Sequence, residues 1–259
     1  MDTGAAITIY LLEKNETTRS TTITFPDTTK SVQLAHKAPG EFKDGYIYED
    51  RTLDSSGNLK RKSTVTWASG DYDSPRPVRI EAFDEVNQKT AAEFVYGPFN
   101  QVSEVRDFDY GGSTLLRITR VIYRNAVEYT GRHIFNLVRR VVIRNASDTI
   151  TMSRIDYDHD GVTLASATGV TQHNAAYDPD DPEFYDPSTD FRGNVTGVTR
   201  YTDANAPTGA ITESRTYDIT GNMVTASTSC CEQMSLSYSL KGRLSRKTPW
   251  GKTASGISS

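Results

Sequence analysis

Cysteine is almost absent from this 259-residue chain, and the two copies present, Cys230 and Cys231, are neighbours. A bond between adjacent cysteines closes a strained eight-membered ring, so they supply no disulfide framework and say nothing of the redox compartment. On a strand they point to opposite faces and cannot easily share one soft metal ion. Long apolar runs are absent too, which argues against a helical membrane span. The opening Met1-Asp2-Thr3-Gly4 shows no basic stretch leading into an apolar core, so no signal peptide is read there. Positive charge is not in excess, with 29 Lys and Arg against 33 Asp and Glu, and no basic block concentrates it. That balance argues against nucleic acid and anionic membrane as partners. The four histidines, His36, His133, His159 and His173, form no helix-spaced pair and have no cysteine at zinc-site spacing. Gly-x-Ser-x-Gly, His-Glu-x-x-His, phosphate-loop and dinucleotide signatures are all missing. A carboxylate pair for glycoside hydrolysis is defined by its separation in space, which a sequence does not display.

What is present is polar and aromatic at once: 36% hydrophobic, 24% charged and 10% aromatic residues, with Tyr at 14 copies against Phe at 9. A thin sheet, with tyrosines that pack a ring on one side and reach water with the hydroxyl, gives that balance. Alternation of period two recurs along the chain. It is visible at Ile7, Ile9 and Leu11, from Thr21 to Phe25, Ser31 to Leu34, Lys62 to Trp67, and Val78 to Phe83. Glu93 to Tyr96, Gln101 to Phe108, Leu115 to Tyr123 and Leu137 to Ile143 are richer still in β-branched and aromatic residues. Pro75 and Pro77 read as a break before the strand at Val78. No segment sustains a period of 3.6, so the expectation is an all-β antiparallel fold with at most one helical turn near Asn125 to Tyr129.

Between these strands lie repeated polar turns. Asp54-Ser55-Ser56-Gly57-Asn58, Tyr157-Asp158-His159-Asp160-Gly161, Asp190-Phe191-Arg192-Gly193-Asn194, Tyr217-Asp218-Ile219-Thr220-Gly221-Asn222 and Tyr238-Ser239-Leu240-Lys241-Gly242 share one plan. An aspartate side chain bonds the backbone ahead of it, and a glycine supplies the positive φ that lets the chain return. Asp54, Gly57, Asp158, Gly161, Asp190, Gly193, Asp218, Gly221 and Gly242 are accordingly read as structural turn residues. Glycines 161, 193, 221 and 242 recur every 20 to 30 residues or so, the interval at which one hairpin unit stacks on the next.

The second half, in Asp156-Tyr157-Asp158, Thr216-Tyr217-Asp218 with Gly221-Asn222, Arg192-Gly193-Asn194-Val195-Thr196 with Val198-Thr199-Arg200-Tyr201, and Ser229-Cys230-Cys231-Glu232-Gln233, resembles the RHS/YD-repeat family. The resemblance covers Ile150 to Pro249 and thins upstream to single turns. It implies a ribbon of β-hairpins that spirals into a partial or complete hollow shell, as in secreted polymorphic toxins and related cell-surface adhesion proteins. In those proteins the shell is a container or scaffold and the chemistry lies elsewhere. The paired Asp-Pro-x-Gly motif that releases a C-terminal toxin in full-length members is missing, and nothing resembling a toxin domain follows Trp250, so autoproteolysis does not carry over. The organisation expected is N-terminal strands over 1–45, a YD-repeat shell segment over 46–250 and a flexible tail over 251–259.

Two stretches carry candidate ligand chemistry. Asp156, Asp158 and Asp160, ahead of Gly161, have the opening spacing of a calcium loop, but the twelfth position is Ala167 where a bidentate glutamate is required; the other reading is a polar hairpin turn. The acidic insertion Tyr177 to Pro187, with Tyr177, Asp178, Asp180, Asp181 and Tyr185, reads as a surface loop open to a ligand or to Ca²⁺. The function these observations suggest is a non-enzymatic scaffold, extracellular or at the cell surface. It encloses or displays a polypeptide or glycan, associates with itself, or pairs with further segments of a longer YD-repeat protein. The alternative is an adhesion module for carbohydrate with Ca²⁺-stabilised acidic loops. No other cofactor is expected.

Overall fold

The computed structural model describes residues 11–167, 191–229, 233–238 and 244–248. The expectations placed on Ile7 and Ile9, on Asp190 and Gly242, on Cys230 and Cys231, on the acidic insertion and on the tail fall outside them. The chain divides into two compact units, Met1–Thr119 and Arg120–Ser259.

The first unit holds β1 (Leu11–Asn15), β2 (Ser20–Thr24), β3 (Lys30–Ala35), β4 (Ile47–Leu53), β5 (Leu59–Ser69), β6 (Pro75–Phe83), β7 (Lys89–Tyr96) and β8 (Val102–Phe108); β9 (Leu115–Tyr123) crosses the boundary. Every pairing from β1 to β8 is antiparallel and joins neighbours in sequence. The turns are short, so each hairpin closes locally before the next strand adds. The register lines up rows of residues on one face. Thr66, Arg79, Glu93 and Arg106 stand opposite one another across four strands, and beside them run Glu49, Thr64, Glu81 and Ala91. On the reverse face Val65, Ile80 and Ala92 form an apolar row, all half-buried. A slip of one residue would exchange these two faces, so the pattern fixes the register.

Pro75 and Pro77 do not precede the strand; they lie in it. A bulge between Thr66 and Trp67 falls opposite Pro77, where the ladder is already interrupted and a missing N–H costs little.

The second unit holds a single helical turn, α1 (Val127–Thr130), followed by β10 (Val138–Asn145), β11 (Thr151–His159), β12 (Val195–Asp203), β13 (Thr208–Tyr217), β14 (Met223–Thr228), β15 (Gln233–Tyr238) and β16 (Leu244–Thr248). These strands again pair antiparallel in sequence order. The all-β expectation, with almost no helix, is what the structure shows.

Burial is thin throughout. The buried apolar residues among those described are Ala91, Ile118, Tyr129, Val198, Ala204 and Ala226. Among the described residues each strand packs chiefly on its neighbours in sequence, and small side chains dominate that buried set.

Candidate functional site

The hairpin turns show how the recurring aspartate works. At Asp54 one carboxylate oxygen accepts the backbone N–H of Ser56 at 3.0 Å and of Asn58 at 2.8 Å. The backbone of Asp54 and Asn58 closes the loop at 2.9 Å, and Gly57 sits at φ +88°. Asp218 repeats the device, accepting from Thr220 N and Asn222 N, both at 2.9 Å, and from the Thr220 hydroxyl at 2.6 Å, with Gly221 at φ +85°. A Cβ on either glycine would meet no atom within 4 Å, so φ alone accounts for glycine at both turns. Burial would raise the Asp218 carboxyl, but the hydrogen bonds from Thr220 and Asn222 outweigh it and hold the group below the usual range. A copy that sequence reading passes over occurs at Asp84, which accepts from Val86 N at 3.0 Å and Gln88 N at 2.8 Å, with Asn87 in place of glycine at φ +63°. Its signal was the same aspartate offset, hidden by the missing glycine.

The turn after β11 is built differently. Asp158 is the last but one residue of the strand, with its carboxylate packed close over Gly197; a Cβ there would stand 3.0 Å from Oδ2. The register shifts between Asp158 and His159, and the left-handed residue is Asp160, at φ +52°, rather than Gly161. Asp160 accepts the N–H groups of Arg192, Gly193 and Asn194 at 3.0, 2.7 and 2.9 Å. It thereby fastens the strand end to residues more than thirty positions on. Gly193, at φ +79°, lies so near Leu137 that a Cβ would come within 2.9 Å of Cδ2.

Around this junction sits the best-buried side chain of the unit. Tyr129 of α1 is fully buried, edge-on to Phe191 with ring centroids 5.5 Å apart. Arg124 donates to the carbonyl of His159 at 3.2 Å, and its guanidinium lies 5.7 Å from the Tyr129 ring centre. His159 is buried, and its Nδ1 finds no partner among the described residues. Burial first, then the Arg124 charge, pushes the imidazole down, against the pull of Asp160 and Asp158. Burial likewise pushes the Tyr129 hydroxyl up.

Asp156 faces a third set of partners. Arg140 Nε reaches it at 2.5 Å, Arg154 at 2.6 Å and the Tyr201 hydroxyl at 2.9 Å. Burial alone would raise its carboxyl; the bonds from Arg154, Arg140 and Tyr201 reverse that and hold it far below the ordinary value. Asp156, Asp158 and Asp160 are therefore each engaged separately. Among the described residues no group of three or more His, Cys, Asp or Glu is arranged to hold a metal ion. The network instead ties β10, β11 and β12 together across one face. Among the described residues no helix is long and apolar enough to cross a membrane.

No family model matches the sequence. No curated protein sequence matches it either. Solved structures do. A porin-like protein from Bacteroides uniformis is similar at 13% identity and a TM-score of 0.36, over 85% of this chain and 74% of that one. TcdB2-TccC3-TEV is similar at 12% identity and a TM-score of 0.28, over 93% of this chain and 14% of that one. The Photorhabdus luminescens Tc holotoxin pore gives 10% identity and 0.22, over 92% and 14%. The chain thus spans 14% of the length of each of these two toxin chains. Values of this size leave function to be argued from the chain's own residues.

Proposed function

We propose that this chain is a non-enzymatic β-scaffold of the RHS/YD-repeat kind, working outside the cell as a stretch of wall that adds to further strands. The observation that carries the reading is the hairpin-by-hairpin pairing of strands that, among the described residues, bury few apolar side chains. Enzymes hold reacting groups in a dry, enclosed site. Here Asp156, whose carboxyl is held far below its ordinary value, and Asp218, whose carboxyl is lowered, are both taken up by structural hydrogen bonds. β1 is the outermost described strand of its unit, pairing with β2 in an unbroken register. All five of its residues are exposed, including Leu11 and Leu12 at 56% each. Among the described residues that edge carries neither proline nor bulge, and strand addition there is the route of assembly this reading assigns.

Sedimentation velocity over a hundredfold concentration range tests this. The parent is expected to self-associate, and a Leu11→Lys, Leu12→Lys double variant to associate at least about tenfold more weakly, because it removes the apolar contact on each face of the edge strand and leaves only charge beside Glu13 and Lys14. A parent that stays monomeric at every concentration, or a double variant that associates as the parent does, contradicts the reading.

A further inference from the structure

Most cations on the faces of the first unit are matched: Arg51, Arg79, Lys89, Arg106 and Arg117 each sit on a carboxylate. The sheet end formed by the start of β5, the β6–β7 turn and the loop after β8 departs from this. Two depressions lie there on opposite faces of the sheet, one of about 480 Å³ on the side of Phe83 and Lys89, and a groove of about 290 Å³ on the side of Arg61, Ala82 and Thr90, with Tyr110 at the edge of both. On the first of these faces Lys62 Nζ and Lys89 Nζ lie over the Phe83 ring, 4.0 Å and 5.6 Å from its centroid. Tyr110 is 68% exposed.

The groove is preformed on both sides. The turn carrying Asn87 and Gln88 is clamped by the Asp84 carboxylate. The loop carrying Tyr110 is pinned to β7, since Gly111 N donates to the Lys89 carbonyl at 2.8 Å. Gly112 lies so close that a Cβ would stand 2.8 Å from Lys89 Cε. Lining this groove are side chains with no hydrogen bond or ion pair among the described residues: Arg61, Gln88, Thr90 and Tyr110.

We propose that this groove binds an acidic saccharide, a sugar chain with a carboxylate on at least one unit. A free guanidinium offers a two-pronged donor matched to a carboxylate. An exposed tyrosine offers a flat apolar face for the C–H side of a sugar ring with a hydroxyl at its edge. Uncommitted amides and hydroxyls donate and accept at once, as sugar hydroxyls require. Asp84 lines the same groove and Glu85 already holds Lys60 at 2.8 Å, so Arg61 is the cation left there to meet a sugar carboxylate. The site is independent of the scaffold reading, because its residues lie away from the β1 edge.

Isothermal titration calorimetry of the full chain with trigalacturonate, maltotriose and triglutamate at one ionic strength tests it. Trigalacturonate is expected to bind, and Arg61→Gln and Tyr110→Ala each to weaken it by about tenfold or more, as loss of a charge-assisted bond or a stacking face does. Both residues are exposed, so the far-ultraviolet circular dichroism should stay that of the parent; Tyr110→Leu, which keeps apolar bulk without the flat ring, gives a second reading of the stacking contact. No binding of trigalacturonate at millimolar concentration overturns the proposal. So does equal binding of maltotriose, which leaves Arg61 no role. Triglutamate binding that is lost in Arg61→Gln but unchanged in Tyr110→Ala would reduce the groove to a patch of charge and overturns it too.

Discussion

Residues 218 and 221 divide the work of one turn. Gly221 at φ +85° occupies a region that costs an L-residue about 1–2 kcal/mol, so Gly221→Val should lower the urea midpoint accordingly. A variant as stable as the parent would show that φ does not limit this turn. Asp218→Ala removes the buried carboxylate that accepts from the Thr220 and Asn222 N–H groups and the Thr220 hydroxyl, and loss of these bonds to a charged group should cost about 1.5–3 kcal/mol in the same assay. His159 sets a pH window. Its folded pKa is depressed by burial and Arg124, so the folded state binds fewer protons than the unfolded chain. The stability this contributes is complete above the unfolded value of about 6.5 and is lost as the pH falls toward the folded one. Arg124, Asp158, Asp160 and Tyr129 are the charged and titratable groups around it. Thermal melts between pH 7.5 and 5 should show the midpoint falling in the parent and a shallower fall in His159→Gln; parallel curves would remove His159 from the account.

At the scale of elements, the hairpin is what the sequence made legible, because Asp and Gly at a fixed offset state the turn chemistry directly. Where the pattern was read too literally, the backbone chose differently. The bulge after Asp158 moved the left-handed position to Asp160, and asparagine stood in for glycine at position 87. Pro77 lies in a strand where a bulge faces it, and Pro75 opens that strand, two of the places where a sheet tolerates proline. Pairing across long separations was not legible. A short helical turn near Tyr129 follows from local pattern, but its burial against Phe191 depends on Asp160 capping a loop far along the chain. The groove at Arg61 and Tyr110 was likewise hidden, since its lining comes from three separate turns and strand ends. Asp160→Ala tests the long-range cap. Hydrogen exchange at Arg192, Gly193 and Asn194 should quicken by about tenfold or more, the loss of roughly 1.4 kcal/mol of local protection, while β13 stays at the parent's rate. Equal acceleration in β13 would mean that the residue supports the whole unit rather than the loop.

At the scale of the whole molecule, stability among the described residues is spread along strand pairings, with few apolar side chains fully buried. The half-exposed ion pairs of each face contribute at most about 1 kcal/mol apiece, and their larger effect is on register, since Arg79 meets Glu93 across strands only in one alignment. A wall of this kind gains from extension, because each added strand satisfies the edge before it. Electron microscopy of the purified chain tests that claim most directly. Particles or filaments built from several copies are predicted, and they should disappear in the Leu11→Lys, Leu12→Lys variant. Fields that contain only single chains at micromolar concentration would contradict it.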